Sequence, residues 1–478
     1  MSPASAFPTS TCAPLGAVLG SFFHTPSYGS FEYLEQAIVE VDRSGTISRV
    51  TLPGDPAYGE RVEDAREADE RGEAALLELA PDEYALPGFV DLHVHAPQWP
   101  QAGVALDEPL DVWLDQRTFP LESRFDDPEF AYSVGESLSE HLLSRGTTTC
   151  LYFASAHLDG SVEVARACAD VGQRAIVGKV VMDDPESNHD YYRDVSPERA
   201  LMDTEEFIAR VERLDAERRR SDPRFAGLYA AVTPRFIPSC TDDSLRGLGQ
   251  IAASHDAYVQ SHCNEGEWEH GVAPERYGIS DAAALASFGL LRHKSVMAHC
   301  TFMSAEDIEL FRSTGTAVAH CPISNAYFAN SACPVRRMHE AGVQIGLGSD
   351  ISGGFSPSLY DNIRQAVMAS RMLEDGVDAR VESGRRGAGE PSRISAVEAL
   401  YLATKGGAEA LELPVGTFEV GNALDMQVVD TRRPYSDLTG MDVFPDPEDV
   451  LARILYLSSP ENIRSVWCQG KPVIDRDS

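Results

Sequence analysis

Basic residues are scarce in this chain: 40 lysines and arginines stand against 75 aspartates and glutamates, a formal charge of -35 over 478 residues. A field of that sign repels phosphate backbones and anionic lipid, so nucleic acid and membrane surfaces are poor partners. Long apolar runs are also missing, and none approaches the roughly 18 residues of a membrane span. The first twenty residues, "MSPASAFPTSTCAPLGAVLG", have neither the basic segment nor the apolar core of a secretory leader. The nine cysteines are odd in number and form no C-x-x-C pair, so they frame no disulfide scaffold. Reduced thiols and a cytoplasmic protein are the expectation. There is no solenoid repeat and no H-x-E with P-C-x-x-C signature of the cytidine-deaminase type.

What is present is alternation. Eight β-like runs are separated by helix-length segments: "FVDLHVH" (89 to 95), "TTTCLYF" (147 to 153), "RAIVGKVVM" (174 to 182), "LYAAVTPRF" (228 to 236), "AYVQSHC" (257 to 263), "SVMAHC" (295 to 300), "TAVAHC" (316 to 321) and "VQIGLGSD" (343 to 350). Between them lie helical segments such as "DPEFAYSVGESLSEHLLSRG" and "SAEDIELFRSTG", the second opening on a Ser-x-x-Asp capping pattern and ending at Gly. Eight such units predict an α/β fold, a (β/α)8 TIM barrel. The Gly-punctuated β-rich flanks predict a small β-sandwich-like domain formed from both chain ends, with boundaries at 1–86, 87–413 and 414–478. Two polar insertions, 61–83 and 374–392, read as solvated loops or helices.

The chemistry gathers at strand ends. Side chains alternate along a strand, so Asp91, His93 and His95 share one face and Val90, Leu92 and Val94 the other. The apolar face suits the helix layer, which leaves the histidines inside the barrel. His262 ends the fifth run, His299 the sixth and Asp350 the eighth, and barrel enzymes draw their catalytic groups from such carboxyl ends. Taken singly, His299 and His320 read as hydrogen-bonded structural histidines. Jointly, imidazoles and a carboxylate converging on one rim call for a divalent cation, zinc first, iron or manganese less readily. Such an ion acidifies a bound water from a pKa of about 15.7 to about 7. Glu265, three residues past His262, is placed to shuttle its proton, while Glu267 and Glu269 read as solvated loop carboxylates. Gly346 and Gly348 either leave space for a flat ligand or allow close packing. Cys263 and Cys300 point away from the lumen and read as packing.

With "PGFVDLHVHAPQW", "TPRFIPSC", "QSHCNE", "MAHCTFMSAEDI", "AHCPISN" and "IGLGSDISGGFSPS" in this order, the chain resembles the amidohydrolase superfamily from about residue 20 to 475. Within it the chain is similar to the metal-dependent branch that acts on guanine. "HAPQW" and "TPRF" followed by "SC" narrow the likeness, and "HCNEGEWEHG", with its Trp268, departs from it. The resemblance implies hydrolytic loss of the 2-amino group of guanine, giving xanthine and ammonia, by a homodimer with one zinc per subunit. It implies His93, His95, His262 and Asp350 as ligands, with His299 either a further ligand or holding the water, and Glu265, Asp350 and His299 as catalytic groups. Gln98, Trp99, Arg235 and Phe236 would hold the purine beside His262, Glu265 and Asp350. Phe236 could stack on the ring or pack at the rim, and Arg235 could bind the purine carbonyl or pair with a carboxylate. Rival substrates for the same metal chemistry are 8-oxoguanine, a pterin, cytosine or a chlorinated triazine; a barrel scaffold without catalysis is the remaining alternative.

Overall fold

A computed structural model describes residues 13–438 and 443–476 of the chain. The eight runs become eight consecutive parallel strands, Phe89–His95, Thr147–Phe153, Arg174–Val181, Leu228–Pro234, Tyr258–Cys263, Ser295–His299, Ala317–His320 and Ile345–Leu347, each paired with the next. The barrel closes just past the ladder. The Asp350 N–H donates to the His93 carbonyl at 2.8 Å and the His95 N–H to the Ile351 carbonyl at 2.9 Å, while the Ser349 N–H donates to the Asp91 carboxylate at 2.9 Å. The eighth strand is therefore shorter than the run at 343–350, and Asp350 leaves it in a left-handed conformation (φ 50°).

The first strand corrects the alternation expected of it. Asp91 pairs with Cys150 and Val94 with Tyr152, so Leu92 and His93 together oppose the single residue Leu151. That is a β-bulge. It turns Val90 and Leu92 into the apolar cluster that fills the lumen with Leu151, Ile176, Ala231, Val296 and Ala298, while Val94 packs outward against the helices. His93 and His95 stand together above that floor because of the bulge, not because of strict alternation.

Helix Pro128–Leu143 starts on Asp127, whose carboxylate accepts from the N–H groups of Glu129 and Phe130. Helix Ala305–Thr314 opens on a reciprocal Ser304/Asp307 capping box and stops at Gly315 (φ 71°). Both chain ends enter one eight-stranded sheet, in which Met426–Asp430 pairs with Glu83–Pro87, which in turn pairs with Leu15–Ser27. The buried Arg174 guanidinium ties this sheet to the barrel by pairing with Asp425. The insertion at 61–83 takes the helical form of the two expected and adds a strand that was not: helix Tyr58–Glu70 precedes strand Ala75–Glu78, which adds in parallel to Leu15–Ser27. At 374–392 helix Leu359–Asp375 ends and a single turn, Ser383–Arg386, follows, and the Glu374 carboxylate clamps the segment by accepting from the Ser392 and Arg393 N–H groups. Among the described residues no helix is long and apolar enough to cross a membrane.

Candidate active site

At the carboxyl ends of the strands the imidazoles meet edge to edge. His95 Nε2 lies 3.2 Å from His93 Nε2 and 3.1 Å from His262 Nε2. Asp350 Oδ1 is 3.2 Å from His93 Nε2 and 3.4 Å from His95 Nε2. His93, His95 and His262 form one group able to hold a metal ion, and His93, His299 and Asp350 a second that shares His93. The His262 Nδ1–H donates to the Arg235 carbonyl at 2.6 Å and the His299 Nδ1–H to Asn325 Oδ1 at 3.0 Å. Each ring therefore turns an unprotonated Nε2 toward the group. Burial first, then the neighbouring rings and Arg235, hold His93, His95 and His262 well below the ordinary histidine range, so they are neutral donors. His299 Nε2 is buried with no hydrogen bond, 3.6 Å from Glu265 Oε1.

Lone pairs pointed at one another repel unless a cation lies between them. Two nitrogen ligands at about 2.0–2.1 Å from a tetrahedral ion stand about 3.3 Å apart, which the observed separations match. The donor set fits a divalent ion. The surrounding backbone is held against its preferences: Asn264, His299, Cys300 and Asp350 all adopt left-handed φ angles between 49° and 74°. Each such residue costs about 1–2 kcal/mol, which the neighbouring hydrogen bonds must offset.

The glycines of the run at 343–350 serve packing and open no room for a ligand. A Cβ on Gly346 would lie 2.5 Å from the Leu92 side chain and 2.8 Å from the Gly407 Cα. One on Gly348 would lie 2.7 Å from the His93 Cβ and 2.9 Å from the Cys321 Sγ. Gly348→Ala is expected to cost about 1–3 kcal/mol by overpacking and to displace His93, seen as a lower melting temperature together with weaker metal retention.

Glu265 lines the same cavity, only 6% exposed. Burial, with Asp350 adding repulsion and Arg235 opposing it, raises its carboxyl to about 8. Burial likewise raises Asp350 and brings Asp91 to about 7.

Arg235 and Gln98 line the same cavity, and both are organised by a residue that sequence reasoning missed. The Glu122 carboxylate, 1% exposed, accepts from Arg235 Nη1 at 2.6 Å and Nη2 at 3.2 Å, from Gln98 Nε2 at 3.0 Å and from the Tyr192 hydroxyl at 2.8 Å. A carboxylate only accepts, so it fixes the Gln98 amide with nitrogen toward Glu122, leaving Gln98 Oε1 a buried acceptor without a partner. Arg235 thus both pairs with a carboxylate and keeps N–H donors free for a ligand. Glu122 ends the short helix Phe119–Glu122 within "RTFPLESRF", with no spacing to mark it. Phe236 lines the cavity, its ring edge-on to Trp268. Leu110, Trp113, Leu114 and Phe328 supply the apolar wall, also unforeseen.

Trp99 is not brought to the cavity. Its indole N–H donates to the Ser137 hydroxyl at 3.2 Å and its ring lies against His141, on helix Pro128–Leu143. Pro97 and Pro100 bend the chain into a short 3-10 turn that sends adjacent side chains opposite ways, Gln98 inward and Trp99 outward. His320 is buried at the end of the seventh strand, outside both metal-holding groups. Cys263 and Cys300 are buried in the layer outside the lumen.

Residues 84–473 match the amidohydrolase family. Guanine deaminase of Dictyostelium discoideum is 32% identical over 466 residues, covering 95% of this chain and 97% of that protein. The structure of guanine deaminase from C. acetobutylicum with guanine bound in its active site aligns at 28% identity and a TM-score of 0.81, covering 96% of this chain and all (100%) of that one. An adenosine deaminase from Xanthomonas campestris with bound zinc aligns at 26% identity and a TM-score of 0.75, covering 97% and 94%.

Proposed function

The chain belongs to the amidohydrolase family, and from that premise we propose that it removes the 2-amino group of guanine by hydrolysis, releasing xanthine and ammonia. The observation that carries the substrate is the pair of unspent polar groups in the cavity that the imidazoles also line. Gln98 Oε1 is an orphan acceptor and Arg235 keeps free donors, both anchored on Glu122. Guanine offers the matching edge, a ring N–H beside a carbonyl. Adenine has no carbonyl there and would leave buried donors unpaired, the kind of mismatch that discriminates strongly.

His93, His95, His262 and Asp350 would hold a zinc ion, with His299 beside it; the likeness to a zinc-containing adenosine deaminase supports this choice. Bound there, zinc supplies a water acidified to near neutral pKa. Glu265 would accept one proton from the attacking water and deliver it to the ring nitrogen, then carry the water's second proton to the departing amine as the C2 carbonyl forms and the C–N bond breaks. Asp350 would orient the water, and Arg235 would face the carbonyl as charge spreads into the ring. The walls of Leu110, Trp113, Leu114, Phe236 and Phe328 exclude bulk water and lie against the purine faces. A cytoplasmic homodimer belongs to the same reading; the eight described cysteines, all free and buried, support a reducing compartment.

One assay tests this. Purified protein should release ammonia and xanthine from guanine, in clear preference to adenine, 8-oxoguanine, a pterin, cytosine or a chlorinated triazine. A chelator should abolish turnover and zinc restore it. Equal rates on those rivals would overturn the substrate.

A further inference from the structure

The carboxylate placed to carry the proton sits on a segment that is clamped on both sides. Thr301 holds the carbonyls: its hydroxyl donates to the Glu265 carbonyl at 2.6 Å and its N–H to the Asn264 carbonyl at 3.0 Å. Two further carboxyls hold the N–H groups. Glu265 N–H donates to Glu269 Oε2 at 2.8 Å and Asn264 N–H to Asp281 Oδ2 at 3.1 Å. Asn264 needs such a hold, because its backbone is left-handed (φ 53°).

Glu269 is not the solvated carboxylate its sequence context suggests. It is 1% exposed and Asp281 is 0% exposed, on neighbouring helices Glu267–Tyr277 and Asp281–Ser287. Gripping two successive N–H groups, the two buried carboxyl groups lie side by side, close enough for the charge on one to act on the other. Their remaining oxygens, Glu269 Oε1 and Asp281 Oδ1, receive no donor from the protein. Two buried carboxylates in contact cannot both stay ionised. One proton between them satisfies both orphan oxygens at once; burial pushes both groups upward, and the charge of Asp281 pushes Glu269 further.

We propose that Glu269 and Asp281 share one proton as an acid–carboxylate pair, and that this pair is the positioning device for Glu265. It grips two successive N–H groups and so fixes the carboxylate relative to the imidazole group. The inference rests on Glu265 as proton carrier in guanine hydrolysis; neither Glu269 nor Asp281 lines the cavity.

Amide substitutions test the shared proton directly. In Glu269→Gln the amide oxygen still accepts from Glu265 N–H while its NH2 donates to Asp281, and Asp281→Asn works in the reverse sense. Each single variant should hold kcat for guanine within about tenfold of wild type, the worth of one neutral hydrogen bond. The double variant sets two NH2 groups against one another and should lose kcat by about 10²-fold, as misplacement of a catalytic group does. KM and zinc content should stay near wild type, and Glu269→Ala and Asp281→Ala should match the double variant. A double variant as active as the singles, or single amides as damaged as the alanines, would overturn the pair. Wild-type ammonia release in the same assay judges the substrate separately. Should guanine not be the substrate, the order of melting temperatures, singles near wild type and the double below them, decides the pairing.

Discussion

Glu265→Gln is expected to lower kcat for guanine by about 10²- to 10⁴-fold, the usual contribution of a positioned acid–base group, while zinc content stays near that of wild type. The amide keeps the shape and most contacts of the carboxyl but cannot take up a proton. Glu265 belongs to neither group of metal-holding side chains, so the ion should remain. Metal analysis beside steady-state ammonia release reads both quantities, and a kcat within tenfold of wild type would remove Glu265 from the role. The same variant carries a pH signature in chelator-treated protein. The folded-state value of Glu265 is raised to about 8, against about 4.3 for an unperturbed glutamate. In that window the folded state holds a proton that the unfolded state has lost, so wild-type stability falls as pH rises from about 4.3 to about 8. Glu265→Gln removes that fall. Urea unfolding of both proteins at the two ends of the window should show the variant gaining relative stability at the alkaline end.

The residues able to hold a metal ion are legible in the sequence because strand ends are legible. Phe89–His95 and Thr147–Phe153 coincide with the runs read from sequence, each an apolar stretch introduced by a glycine, Gly88 or Gly146. His-x-His on the first and His262, His299 and Asp350 at later ends then fall on one rim without further information. The bulge at Leu92 and His93 is invisible to a period-two pattern, since it depends on how Thr147–Phe153 pairs with its neighbour. Less legible still are buried carboxyls. Glu122, Glu269 and Asp281 carry no periodic mark, and Glu122 is buried because donors from distant segments converge on it. Gln98, Tyr192 and Arg235 come to Glu122 across as many as 113 residues of chain. In the chain, a glutamate so satisfied and one left in solvent look alike. Trp99 fails for the opposite reason: adjacent positions in a 3-10 turn diverge, so nearness to Gln98 in the chain gives no nearness in the cavity.

Glu122→Ala should be the most destabilising of the site variants, by about 3–5 kcal/mol, because it strands the Arg235 guanidinium in the interior. Arg235 is 3% exposed and is held ionised by Glu122 against its burial. Loss of the carboxylate also frees the Gln98 amide to rotate, so the cavity no longer presents a fixed acceptor beside fixed donors. Stability and recognition would then fall together, and one variant cannot separate them. The double replacement Glu122→Met with Arg235→Met can. Apolar side chains of similar volume remove both charges at once, and exchanges of this kind are often neutral or stabilising. Its melting temperature should recover to near wild type or above, while kcat/KM for guanine stays low and the preference over adenine collapses. If the double variant regains guanine turnover with its stability, the pair is only a brace and recognition of the purine lies elsewhere. If stability returns without selectivity, Glu122 acts on the substrate through Arg235 and Gln98, and a buried ion pair has been kept for what it orients, since it adds little to the stability of the fold.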